Sequence, residues 1–130
     1  MQISHLDHLV LTVRDIPRSL DFYSRVLGMR PVVFGQGRNA LAFGEQKINL
    51  HQLGAEFEPK ATYPQPGSAD LCFIVHDRLE AVIEHLYAQG VDILEGPVMR
   101  TGAQGPIRSV YLFDPDLNLI ELSNPVETAA

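Results

Sequence analysis

The chain repeats itself, and that repeat limits its folds more than any other feature. Val13 and Val75 each end an apolar run, and Gly28 and Gly90 each close an amphipathic stretch; both pairs lie 62 residues apart. Residues 47–53 (KINLHQL) align with residues 119–125 (LIELSNP) at an offset of 72. The ten extra residues of the second copy fit the Gly/Pro-rich stretch 96–106 (GPVMRTGAQGP). Self-similarity at a fixed offset is the mark of a duplicated structural unit.

Each copy reads as a strand, a helix and three strands. In the first, 6–13 is β-branched and apolar, which suits a buried strand. A helix is expected over 15–27, with Pro17 in its first turn, where a missing N–H costs nothing, and Gly28 just past its end. Short strands follow over 30–35, 39–44 and 46–53. Residues 55–68 hold three prolines and few aliphatics and read as a linker. The second copy has a strand over 70–75, a helix over 78–89 closed by Gly90, and strands over 91–95, 108–113 and 118–124, with 96–106 read as a loop. The fold class expected is α+β: two tandem βαβββ modules, 3–54 and 69–125, in one domain, with their mixed sheets curving around a cleft.

Bulk properties narrow the function. The net charge of -6 argues against non-specific binding to nucleic acid or to an anionic membrane surface. No apolar run approaches the roughly 20 residues that span a bilayer, and residues 1–7 lack the basic and apolar regions of a signal peptide. The single cysteine, Cys72, allows no intrachain disulfide and fits a reducing compartment. A cytoplasmic location is expected. Cys72 itself, inside DLCFIV, reads as a buried, inert thiol.

The offsets also locate the chemistry. At 62, His8 superposes on Asp70; at 72, Asn49 superposes on Glu121. These are four polar residues set in apolar strands, and burying a polar group without a partner costs several kcal/mol. A divalent metal shared by the two halves is one such partner. His51 lies two residues beyond Asn49 on the same strand face. His8, His51 and Glu121 together form a 2-His-1-carboxylate set suited to Ni, Zn, Mn or Fe. Asn49 is a weaker neutral ligand, and Asp70 has an alternative role at the strand entry. His8 as a core histidine and His51 as a surface residue are the plain alternatives. Glu121 is hardest to set aside, because Glu is rarely buried unless paired.

At these residues the sequence resembles the vicinal oxygen chelate superfamily, which includes glyoxalase I, extradiol dioxygenases, and fosfomycin and bleomycin resistance proteins. DHLVLTV followed by DIPRSLDFYSRVLGM is similar to the opening of one module, with Asp15, Ser19, Phe22, Tyr23, Leu27, Gly28 and Met29 in place. YLFDPDLNLIELSNP is similar to the closing hairpin, with Glu121 at its ligand glutamate and Leu117 where glycine is usual. If that turn keeps a positive φ, Leu117 is strained. KINLHQ, PGSADLCFIV and EGPVMRTGAQGPIRSVYLFDP resemble the short glyoxalase-domain proteins labelled virulence-associated or lactoylglutathione-lyase-like. The resemblance implies a metal ligand at His8, but the family usually has His where Asp70 stands, and glyoxalase I has Glu where Asn49 stands.

Three functions follow as expectations. The first is a metal-dependent, glyoxalase-I-like lyase or isomerase acting on a small substrate with neighbouring oxygens, such as a glutathione adduct. There Glu121 serves as ligand and general base, and Arg38, Arg100 and Arg108 hold substrate carboxylates. The second is an extradiol-type Fe(II) dioxygenase with Tyr111 at the active-site tyrosine; the histidine such enzymes carry in the loop before that strand is missing from 99–106. The third is a metal-free small-molecule binding or resistance protein, in which Glu121 would need a cationic or hydrogen-bonding partner. The resemblance also implies a homodimer.

Overall fold

A computed structural model describes residues 1–127. The chain divides into two compact units, Met1–Ser68 and a second that begins at Ala69. Each is built as one mixed four-stranded sheet with a helix, so the α+β, doubled βαβββ reading holds.

In the first unit, β1 (His8–Val13) leads to α1 (Ile16–Arg25), then β2 (Arg30–Phe34), β3 (Arg38–Phe43) and β4 (Gln46–Gln52). The strand order is β1-β4-β3-β2, with β1 parallel to β4 and the other pairs antiparallel. Helix α1 has Pro17 in its first turn, buries Ser19, Phe22 and Tyr23, and ends before Gly28, whose φ of 71° closes the helix without a Cβ penalty. Leu11, Val13, Leu41, Ile48 and Leu50, all nearly inaccessible, form the apolar side of the sheet. Residues 53–69 contain no regular element.

The second unit repeats the plan. β5 (Asp70–Ile74), α2 (Leu79–Ala88), β6 (Glu95–Gly102), β7 (Gly105–Phe113) and β8 (Leu119–Pro125) give the order β5-β8-β7-β6. The offsets read from the sequence reappear in the register. His8 pairs with Lys47 and Val10 with Asn49; Asp70 pairs with Leu119 and Cys72 with Glu121. Adding 62 and 72 to one pair gives the other.

A second pair of equivalent residues was not foreseen. Gln52 accepts the Ile16 N–H through Oε1 (3.2 Å) and donates to the Arg14 carbonyl (2.5 Å). Seventy-two residues on, Asn124 accepts the Leu79 N–H through Oδ1 (2.7 Å) and donates to the carbonyls of Val75 and Asp77. In both units the last strand supplies an amide that satisfies an otherwise orphaned donor at the helix start. Each helix is tied to its sheet by the same device.

Two expectations are corrected. The stretch 96–106, read as a loop, is mostly the edge strand β6, which pairs with β7 down to a tight turn at Gly102 and Gly105; residues 91–94 are not a strand. Pro97 lies where the register shifts between Glu95 and Val98, and an edge strand tolerates proline at such a bulge. Cys72 is exposed rather than buried. Strand β5 alternates, and Cys72 is on the side that does not take the helix.

The β7–β8 turn is held by Asp114. Its Oδ1 accepts the N–H groups of Asp116 (2.9 Å) and Asn118 (2.8 Å), and its Oδ2 accepts Asn118 Nδ2 (2.7 Å). Leu117 does keep a positive φ, 69°, with its side chain exposed. The turn sets Tyr111 opposite Glu121.

Candidate functional site

Strand alternation sorts each sheet into an apolar side and a polar side. On the polar side of the second sheet stand Asp70 and Cys72 from β5, Glu121 and Ser123 from β8, Ser109 and Tyr111 from β7, and Arg100 from β6. Ser109 and Ser123 are fully buried and Glu121 is half-buried. The Ser109 hydroxyl donates to Glu121 Oε2 at 2.5 Å, a short charge-assisted bond, and Ser123 donates to the same oxygen at 3.4 Å. The two serine hydroxyls are 2.6 Å apart. Glu121 is therefore an oriented carboxylate.

A cavity of about 680 Å³ opens beside it, lined by Cys72, Ile74, Arg100, Ile107, Tyr111 and Glu121 together with the β6–β7 turn and Val126. That size accommodates a small organic ligand. Arg100 donates from Nε to the Tyr111 hydroxyl (3.0 Å) and from Nη2 to Glu95 (3.2 Å), with its guanidinium 5.4 Å from the Tyr111 ring centre. Burial raises the Tyr111 phenol above its ordinary value of 10.0, against the opposing bond from Arg100. Burial likewise raises the Cys72 thiol above 9.0, partly offset by its 3.4 Å contact with Ser123. Cys72 is accessible but protonated at neutral pH, so it is not an activated nucleophile.

On the polar side of the first sheet, Val10 and Thr12 of β1 neighbour Asn49 and His51 of β4, which neighbour Ala40 and Arg38 of β3. His51 is buried, with 4% of its surface exposed. Its Nε2 lies 3.3 Å from Arg38 Nη2. Arginine has no acceptor, so the imidazole accepts there and carries its proton on Nδ1. Phe57, from the segment after β4, packs edge-on against the His51 ring at 5.6 Å. Burial first and the Arg38 charge second push His51 below its ordinary 6.5. Asn49 is buried, and its Oδ1 has no hydrogen-bond partner.

His8 is exposed. Its Nδ1 is 2.8 Å from Asp7 Oδ2, a bond that lowers the Asp7 carboxyl below 3.8. A carboxylate on Nδ1 favours the tautomer that leaves Nε2 its lone pair, the form in which a histidine binds a metal. Asp70 is exposed at the start of β5. Within either unit, among the described residues, no three His, Cys, Asp or Glu side chains converge. The donors each unit offers still suit a divalent metal: His8 with its supporting carboxylate, and Glu121 with its supporting serines.

The three arginines differ in kind. Arg108 pairs with Glu80 of α2 at 2.7 Å, on the helix side of β7. Arg100 lines the cavity but is shared between Tyr111 and Glu95. Arg38 has no carboxylate partner among the described residues; its guanidinium meets His51 and the rings of Phe34 (5.2 Å) and Phe57 (4.4 Å).

Comparison with known proteins adds four findings. The family model described as Glyoxalase/Bleomycin resistance protein/Dioxygenase superfamily matches residues 5–122. The glyoxalase domain-containing protein RDO1 of Mycosarcoma maydis is 60% identical, over 95% of this chain and 70% of its own length. Virulence protein STM3117 of Salmonella typhimurium is 56% identical, over 97% of this chain and 88% of its own, and its crystal structure superposes with a TM-score of 0.96. A lactoylglutathione lyase of Pseudomonas aeruginosa is 30% identical, over 89% of this chain and 80% of its own.

Proposed function

The chain belongs to the glyoxalase/bleomycin resistance protein/dioxygenase superfamily, and on that premise we propose that it is a metal-dependent lyase or isomerase of the glyoxalase type, acting on a small substrate with neighbouring oxygens. The observation that carries this reading is Glu121: a half-buried carboxylate, aimed by Ser109, in the wall of a cavity of about 680 Å³. A carboxylate so placed takes a proton from carbon next to a carbonyl and returns it to the neighbouring carbon. Ser109 and Ser123 keep it in register during the transfer.

The ligands assigned are His8, His51 and Glu121, with Asn49 and Asp70 as lesser candidates. A divalent ion there (Ni, Zn, Mn or Fe) supplies Lewis acidity to the substrate oxygens. His51 serves only if Arg38 releases its Nε2. Arg100, in the cavity wall, and Arg38 are the candidate anchors for substrate carboxylates, including those of a glutathione adduct; Arg108 is engaged by Glu80. Tyr111, opposite Glu121, is the candidate hydrogen-bond donor to the substrate, its hydroxyl accepting from Arg100. The proposal extends to a homodimer acting in the cytoplasm as a single domain of two modules, without nucleic-acid or membrane partners; no helix among the described residues is long and apolar enough to cross a membrane.

One observation favours a second reading, metal-free ligand binding: Glu121 already has a hydrogen-bonding partner in Ser109. Metal analysis of protein purified without chelator separates the two. A stoichiometric metal that is lost in His8→Ala and in Glu121→Ala, with turnover of methylglyoxal plus glutathione, supports the lyase. Turnover of a catechol instead points to dioxygenase chemistry. A wild type that holds no metal and takes up none of Ni, Zn, Mn or Fe overturns the enzyme reading in favour of binding.

A further inference from the structure

Arg100 lines the cavity beside Glu121, but its guanidinium is committed within the cavity wall. Nε donates to the Tyr111 hydroxyl at 3.0 Å, Nη2 to Glu95 Oε1 at 3.2 Å, and Nη1 to the Met99 carbonyl at 2.9 Å. An arginine that grips a carboxylate side-on uses Nε and Nη2 together. Here that edge of the fork is divided between a phenol and a resident carboxylate. A substrate carboxylate could take it only by displacing both. The three bonds, directed to β6 and β7, fix the plane and rotation of the fork. What they hold in place is Tyr111.

A phenol has one proton to donate. The Tyr111 oxygen receives the Arg100 N–H, so its own O–H is turned away from the guanidinium. Tyr111 and Glu121 stand directly opposite on β7 and β8, and both line the cavity. The hydroxyl thus has a cation behind it and a carboxylate and open cavity before it. When Glu121 takes a proton from carbon, the electron pair of that C–H bond moves into the adjacent carbonyl, whose oxygen gains charge. When the proton returns to the neighbouring carbon, the charge leaves. An O–H aimed at that oxygen stabilises charge that the ground state lacks. A guanidinium bonded to the phenol oxygen polarises the O–H and strengthens it as a donor. Tyr111 keeps its proton throughout.

We infer that Arg100 is a positioning residue: rather than holding the substrate, it fixes the Tyr111 hydroxyl as the donor to the substrate oxygen on which charge gathers. The inference deepens the proposed function and rests on it for the reaction, whereas the hold of Arg100 on the phenol does not depend on it. A carboxylate anchor and a positioning residue differ in what their loss changes. The first acts on KM, the second on kcat.

The test is a kinetic cycle on the full chain with the preformed hemithioacetal of methylglyoxal and glutathione. It compares wild type, Arg100→Gln, Tyr111→Phe and the double variant. The ring ¹³Cζ signal of Tyr111, assigned by its absence in Tyr111→Phe, is followed at neutral pH alongside. Tyr111→Phe is expected to lower kcat about hundredfold, as loss of one donor to a developing oxyanion does. Arg100→Gln lowers kcat about tenfold with KM near that of wild type, shifts the Tyr111 signal, and is partly rescued by Arg100→Lys. The double variant is no slower than Tyr111→Phe, because Arg100 acts only through the phenol. Glu95→Gln leaves KM unchanged, whereas an anchor released from Glu95 would lower it. A raised KM with kcat kept in Arg100→Gln, a lowered KM in Glu95→Gln, or multiplied losses in the double variant overturns the inference and leaves the lyase reading standing. A Tyr111 signal unmoved in Arg100→Gln overturns it whether or not the substrate is turned over. A wild type without turnover, whose Tyr111 signal does move in Arg100→Gln, overturns the lyase reading and leaves Arg100 as the group that sets the phenol.

Discussion

Ser109→Ala tests the placement of Glu121. The substitution removes the hydroxyl that meets Glu121 Oε2 at 2.5 Å and leaves the long 3.4 Å bond from Ser123. Hydrogen bonds to charged groups contribute about 1.5–3 kcal/mol. Because Glu121 is only half-buried, solvent replaces part of that, and about 1–2 kcal/mol is the expected loss. With a urea m-value of about 2 kcal/mol/M, the middle of the usual range, the unfolding midpoint falls by roughly 0.5–1 M. The decisive measurement is a double-mutant cycle with Glu121→Ala. If the bond holds the carboxylate, the two substitutions couple by about 1–2 kcal/mol. Nickel or zinc affinity is the second readout: loss of an orienting partner costs about tenfold or more in metal-site affinity, which a purely structural serine would not. Coupling below about 0.3 kcal/mol together with unchanged metal affinity would refute the argument.

Two further outcomes are expected. His51, lowered by burial and by Arg38, binds a proton less readily folded than unfolded. Stability is therefore complete above the unfolded value of 6.5 and is lost as pH falls from there toward the folded value; Arg38→Gln should move the His51 ring titration back up, and a titration unchanged by that variant contradicts the account. Gly96→Ala should be severely destabilising, by about 3 kcal/mol or more. Its φ is 119°, and an added Cβ would stand 2.5 Å from the Ser109 carbonyl oxygen and 2.9 Å from Val110 Cα, backbone atoms that cannot yield. A urea midpoint like that of wild type would show that β6 relaxes away from β7.

The doubled architecture was legible in the sequence because both copies keep the same strand pairing. His8 opposite Lys47 and Asp70 opposite Leu119 differ by the offsets that align the residues themselves. The helix ends were legible because Gly28 and Gly90 meet a backbone requirement that composition reveals. Strand β6 was not, since Gly96, Pro97 and Gly102 are turn-formers wherever pairing does not override them, and pairing with β7 is a tertiary fact. The exposed Cys72 was hidden by its apolar neighbours: DLCFIV reads as a run buried on both sides, whereas only alternate residues face the helix. Gln52 and Asn124 could have been found by applying the offset of 72 to amides as well as to acids and histidines. What separates Arg38 from Arg108 could not have been found that way, because it depends on which side of the sheet each residue takes.

The margins of the two sheets are treated unequally. The outer strands β2 and β6 each carry a proline, Pro31 and Pro97, and β6 is further distorted by its bulge. Such strands make poor templates for an incoming chain. The opposite margins, β1 and β5, have no proline, and each pairs with only one neighbour in its own sheet. Taken unit by unit, a strand added during folding therefore meets less resistance at β1 or β5 than at β2 or β6. Those strands carry His8 and Asp70, so strand addition at either margin would crowd two candidate ligand residues, and a partner that covered those margins would protect the chain from aggregation.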